Sequence, residues 1–122
     1  MEQSQRIEYE ILHLAVNATD TQGYGMTLPL LRQMMTQVFP DVENAAVVDA
    51  CKRLFPKFLS LRKWDEASRG FRDYQGEHED DEFFYRGDFR LKRTPFSRSN
   101  LEQLASLLPP SHPKKRPIGF NP

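Results

Sequence analysis

Apolar residues recur at helical spacing through the first half of the chain and at strand spacing later on. Ile7, Ile11, Leu14 with Ala15, and Ala18 fall at i, i+4, i+7/8 and i+11, one stripe along a helix. Glu8 and Glu10 sit early in that segment, where carboxylates favour the positive end of the helix dipole. The helix should end in Thr19-Asp20-Thr21-Gln22-Gly23, because short polar side chains and glycine compete for the backbone. A second helix is expected after Thr27, a plausible N-cap, with Pro29 in the first turn, where a missing N–H costs little. Leu30, Leu31, Met34, Met35, Val38 and Phe39 form its stripe, and Pro40 stops it. Asp41 or Asn44 can cap a third helix whose inner face is Val47, Ala50, Cys51, Leu54, Phe55 and Phe58. Pro56 lies nearly opposite Val47 on the wheel, so a kink there leaves the core closed, and the helix should end between residues 55 and 61.

The period then becomes two. Phe89-Arg90-Leu91-Lys92-Arg93 alternates apolar and basic, as a strand with one wet face does. Phe83, Phe84 and Tyr85 add strand-favouring aromatics before Gly87, a candidate bulge. Two segments compete as the partner strand, residues 59–64 and 70–75. A last helix should start at Ser99, whose spacing to Glu102 forms a capping box, with Leu101, Leu104, Ala105 and Leu108 behind it. Pro109-Pro110 ends it. The final 14 residues hold five of the nine prolines and form an extended tail around Lys114-Lys115-Arg116. The expected organisation is therefore one domain over residues 1–108 and a Pro-rich basic tail over 109–122.

Three helices with the second and third closely joined, a β-hairpin, then a short helix: this order resembles the winged helix-turn-helix superfamily. The resemblance covers roughly residues 5–108 and implies a mainly α fold with a hairpin (α+β): a three-helix core, a hairpin wing and a short C-terminal helix. It further implies that the third helix, about residues 42–55, enters the DNA major groove. The wing, between residues 62 and 93, would touch the flanking backbone.

Charge sharpens this expectation and complicates it. The formal net charge is zero, with 17 basic and 17 acidic residues in 122. That excludes a globally basic nucleic-acid coat and an acidic disordered chain. The balance is uneven along the chain. Residues 1–51 set Arg6 and Arg32 against seven acids, whereas residues 52–122 hold 15 basic and ten acidic residues. On the outward face of the third helix stand Ala45, Asp49, Lys52, Arg53 and Pro56. Lys52 and Arg53 suit phosphates, and Arg53 also a guanine edge, while Asp49 repels phosphate. The wing supplies Arg62, Lys63, Arg69, Arg72, Arg86, Arg90, Lys92, Arg93 and Arg98, interleaved with Trp64, Phe71, Tyr74 and Tyr85. Arginines beside aromatics suit phosphates and stacking on unpaired bases. The run Glu77-His78-Glu79-Asp80-Asp81-Glu82 opposes that attraction unless it points away from the nucleic acid. The DNA-contacting set expected is Lys52, Arg53, Arg62, Lys63, Arg90, Lys92 and Arg93.

Catalytic and metal chemistry find little support. His78 lies among carboxylates, but its spacing matches no zinc motif or EF-hand loop. Cys51 falls on an apolar helix face, where a small core residue is the simpler reading. His13 and His112 have no evident acid, base or nucleophile beside them. No cofactor is expected, and no enzyme. A lone cysteine fits a reducing compartment, the first residues lack the pattern of a signal peptide, and no apolar run is long enough to span a membrane. A cytoplasmic location follows as the expectation. Two functions are left in view. One is a small DNA-binding protein, a transcriptional regulator that holds duplex DNA mainly by its phosphates; the other is a winged-helix module for a protein partner or a homodimer, without a nucleic-acid role.

Overall fold

The computed structural model describes residues 3–22, 25–55, 57–74 and 89–108. Among these, four helices and a four-stranded antiparallel sheet make an α+β fold. The order is α1 (Gln3–Gln22), β1 (Met26–Thr27), α2 (Leu28–Val38), α3 (Asn44–Leu54), β2 (Leu59–Asp65), β3 (Gly70–Asp73), β4 (Phe89–Arg93) and α4 (Ser97–Leu107). Across the sheet the strands run β1-β4-β2-β3. This arrangement is compatible with the winged-helix-like one that the element order leads one to expect.

Helix α1 is the centre of the core. Its stripe of Ile7, Ile11, Leu14, Ala15 and Ala18 is buried as expected, together with Leu12 and Val16. Burying an aliphatic side chain of this kind contributes about 1.5–3 kcal/mol. Glu10 departs from the expectation: it is fully buried. The helix starts at Gln3, which puts Glu8 and Glu10 past the first turn and outside the favourable reach of the dipole. Glu10 also stands at i+3 from Ile7 and i−4 from Leu14, so the helical period carries it into the stripe.

Helix α2 begins as expected, with the Thr27 hydroxyl accepting from the Leu30 N–H at 3.3 Å and Pro29 in the first turn. Its buried face is Leu28, Leu31 and Met35, with Met34 and Phe39 half-buried. Leu30 is instead 39% exposed, and Leu28, at the first position after the cap, takes the inward place with Leu31. Helix α3 buries Val47, Val48, Ala50, Cys51 and Leu54. Neither Asp41 nor Asn44 caps it. Glu43 holds the cap position without a side-chain bond, and Asn44 Oδ1 accepts from Arg32 Nε at 3.0 Å, tying α3 to α2. Backbone bonds from Phe55 to Cys51 and from Phe58 to Leu54 close the end of α3. Pro56 lies outside the described residues.

Both candidate partner strands form. β4 pairs with β2, β2 pairs with β3, and the two-residue β1 adds to the far side of β4. β1 was not legible from strand-length patterning. Gly25 makes its approach possible: it adopts φ +81°, and a Cβ there would lie 2.2 Å from the Leu91 carbonyl oxygen and 2.7 Å from Lys92 Cγ. Helix α4 starts at Ser97, two residues before the expected Ser99 capping box. Ser97 is buried; its hydroxyl accepts from the Thr94 N–H at 2.8 Å and donates to the Phe58 carbonyl. A serine that closes the sheet onto the helix outcompetes an exposed cap. The run 77–82, the aromatics 83–85, Arg86, Gly87, His112 and the tail 109–122 all lie outside the described residues.

Candidate nucleic-acid interface

The strand period of two decides which cations meet. Leu59, Leu61, Phe89, Leu91 and Met26 point into the core. Their alternates point the other way. Arg62 stands opposite Arg90 on one side and Asp73 on the other, Lys92 lies opposite Ser60, and Trp64 lies opposite Phe71. Arg62, Arg90, Lys92, Trp64, Phe71 and Asp73 therefore share the outer face of the sheet.

Among the described residues, three cations share that face with one carboxylate. Arg62 Nε donates to Asp73 Oδ1 at 2.9 Å. The Arg90 guanidinium carbon sits 5.3 Å from the centroid of the Phe71 ring, a cation–π contact. Arg90 Nε is buried and has no hydrogen-bond partner among the described residues. The Lys92 ammonium is held below the usual lysine range. Burial is the largest cause, repulsion from Arg62 and Arg93 adds to it, and Asp73 partly opposes it.

The other expected residues have different settings. Lys63 points to the opposite sheet face, its Nζ 5.6 Å from the Phe89 ring centroid, and pairs in register with Arg72. Arg93 Nε bonds Asp20 Oδ1 at 2.6 Å, and Arg98 reaches the other oxygen of the same carboxylate. Arg53 Nε bonds Glu8 Oε2 at 3.2 Å. Glu8 and Asp20 are twelve residues apart on α1, about 18 Å along the axis. Arg53 and Arg93 are thus fixed to opposite ends of one helix. Lys52 is exposed in the last turn of α3, with Ala45 and Asp49 on the same outward face, as the wheel anticipates.

The surface beside α3 is mixed in sign. A cavity of about 450 Å³ separates α3 from the start of α1. Asp41, Glu43 and Asp49 bring carboxylates to it, Ile7, Val42 and Ala46 give it apolar wall, and Arg53 is its one cation among the described residues. The α3 face therefore suits a polyanion less well than the sheet face does.

Cys51 is wholly buried, and burial pushes its thiol far above the usual range, so it has the character of a core residue. Among the described residues, no three or more His, Cys, Asp and Glu side chains gather as a metal ion requires. Nor, among them, is any helix long and apolar enough to cross a membrane. Sequence patterning found the cations and aromatics of the sheet face but not Asp73, whose role depends on a third strand. Compared with protein-family models, curated proteins and solved structures, the chain matches none.

Proposed function

We propose that this protein is a winged-helix DNA-binding module, a small regulator of transcription that grips duplex DNA chiefly through phosphates. One observation carries the proposal: the antiparallel register gathers the half-buried Arg62, Arg90 and Lys92 on the outer face of the sheet, with only Asp73 to offset them among the described residues. Like charges held this close repel, and a row of phosphates relieves the repulsion while releasing counterions. Lys52, exposed in the last turn of α3, is not part of this face. Arg53 and Arg93, tied to Glu8 and Asp20, serve the fold first. The element order, with the hairpin following a closely spaced α2–α3 pair, supports the same architecture.

The test is duplex binding by fluorescence anisotropy across a salt series. Three phosphate contacts give a slope of about −2.7 in log K against log salt, hence about a 40-fold loss between 50 and 200 mM. A flat response, or no binding in dilute buffer, removes the proposal. The acidic, partly apolar cavity beside α3 favours a second function, docking of a basic protein segment, with the module acting in protein assembly. In that case charge removal on the sheet leaves assembly intact.

A further inference from the structure

We infer that the outer sheet face also recognises unpaired bases, with Trp64 as the stacking residue, so that single-stranded nucleic acid is a ligand of this site. The inference rests on the phosphate-gripping function proposed above and names what lies beside the phosphates. Trp64 is one of few large apolar side chains substantially exposed among the described residues, at 37%. It lies at the turn end of β2, two residues beyond Arg62 and on the same outer face. Its cross-strand neighbour Phe71 meets it edge-on, ring centroids 5.3 Å apart at 73°. That edge contact braces the indole while leaving ring surface open to solvent. The Arg90 guanidinium also contacts the Phe71 ring, 5.3 Å from its centroid. Arg62 stands two residues before Trp64 on the same strand and the same face, about 7 Å away. A hollow of about 370 Å³ opens beside the indole at the sheet edge, lined also by Lys63, Asp65, Arg72, Asp73 and Tyr74.

An indole braced by a second ring and flanked by guanidinium groups matches the chemistry of base stacking next to a sugar–phosphate chain. Duplex DNA offers phosphates to such a surface but keeps its base faces stacked inside. The exposed aromatic therefore has work to do only on an unpaired strand. Charge complementarity selects a nucleic acid as the occupant over an apolar peptide, since a peptide would leave the positive charge that Arg62, Arg90 and Lys92 hold in excess of Asp73 uncompensated.

Trp64 is the single tryptophan of the chain, so its emission reports on this site alone. The full chain would be titrated with three probes: a 15-nucleotide oligo-dT, an abasic oligonucleotide of the same length, and a duplex. Oligo-dT should quench Trp64 and bind at least tenfold tighter than the abasic strand. Trp64→Ala should weaken oligo-dT binding roughly 5- to 150-fold, in line with the loss of one stacked base. Trp64→Phe should stay within about threefold of the parent, and circular dichroism of both variants should match it. Equal binding of the dT and abasic strands, or duplex binding with no preference lost in Trp64→Ala, overturns this inference and leaves the phosphate grip standing. Failure of all three probes to bind overturns both.

Discussion

Two groups of cations occupy this fold, and they differ in what surrounds them. Arg53, Arg93 and Arg98 each bond a carboxylate of α1, Arg53 to Glu8 and the other two to Asp20. Arg62, Arg90 and Lys92 share an outer sheet face with one carboxylate among the described residues, Asp73, which Arg62 engages. The first group uses its charge to fasten α3, β4 and α4 to the central helix. The second retains a surplus of positive charge, and Lys92 within it is held below the usual lysine range first by burial and then by repulsion from Arg62. A count of basic residues does not separate the two groups; neighbouring carboxylates do.

The comparison can be broken first at the base of the sheet. Gly25→Ala should destabilise the protein by about 2–4 kcal/mol in denaturant unfolding, since the new methyl meets the Leu91 carbonyl at a positive φ. Gly70→Ala, where nothing lies within 4 Å of the added carbon, should change stability by less than about 0.5 kcal/mol. Equal effects would show that β1 does not hold the edge of the basic face.

The fastening group comes next in size. Asp20→Asn weakens two partly exposed ion pairs at once and should cost about 1 kcal/mol, while Arg53→Gln should cost about 0.5 kcal/mol. Neither should alter duplex affinity by more than about twofold. A large binding defect without a stability loss would move these residues into the binding group.

The smallest effect is a pH signature in the β2–β3 turn. Asp65 accepts from the Ser68 hydroxyl at 2.9 Å and the Ala67 N–H at 3.3 Å, and it pairs with Arg72 at 2.9 Å. The Ser68 bond is the largest cause holding its carboxyl below the ordinary 3.8. A depressed carboxylate stabilises the fold above its unfolded value, and that contribution disappears as pH falls through the folded value. The stability gap between the parent and Asp65→Asn should therefore be present at neutral pH and close as the solution is acidified below about pH 4. A gap that widens on acidification would contradict this assignment. The same turn holds Arg69 at φ 53°, so Arg69→Gly should be tolerated or mildly stabilising.

Much of this was legible in the chain. The stripes of α1 and α3, the Thr27 cap and the alternation of Phe89 to Arg93 each follow from local spacing. What escaped was settled by neighbours distant in sequence. Ser97 displaced the Ser99 capping box because Thr94 and Phe58 meet it from the sheet. β1 is two residues long and exists because Gly25 fits against Leu91. Glu10 could have been found, since the period that buries Ile7 and Leu14 passes through it. The division of the seven expected DNA-contacting residues was not readable: Lys63 and Lys92 look alike in sequence, and only the strand register sets them on opposite faces. Likewise Arg53 resembles Lys52 until Glu8, 45 residues earlier, takes up its guanidinium.

The most direct measurement is the salt slope of duplex binding for two variants beside the parent. Arg62→Gln/Arg90→Gln/Lys92→Gln should bring the slope from about −2.7 to near zero, losing about 0.9 per residue, with folding intact by circular dichroism. Arg53→Gln should leave the slope where the parent has it. If the triple variant kept the parent slope, or if Arg53→Gln abolished it, the sheet face would not be the nucleic-acid grip.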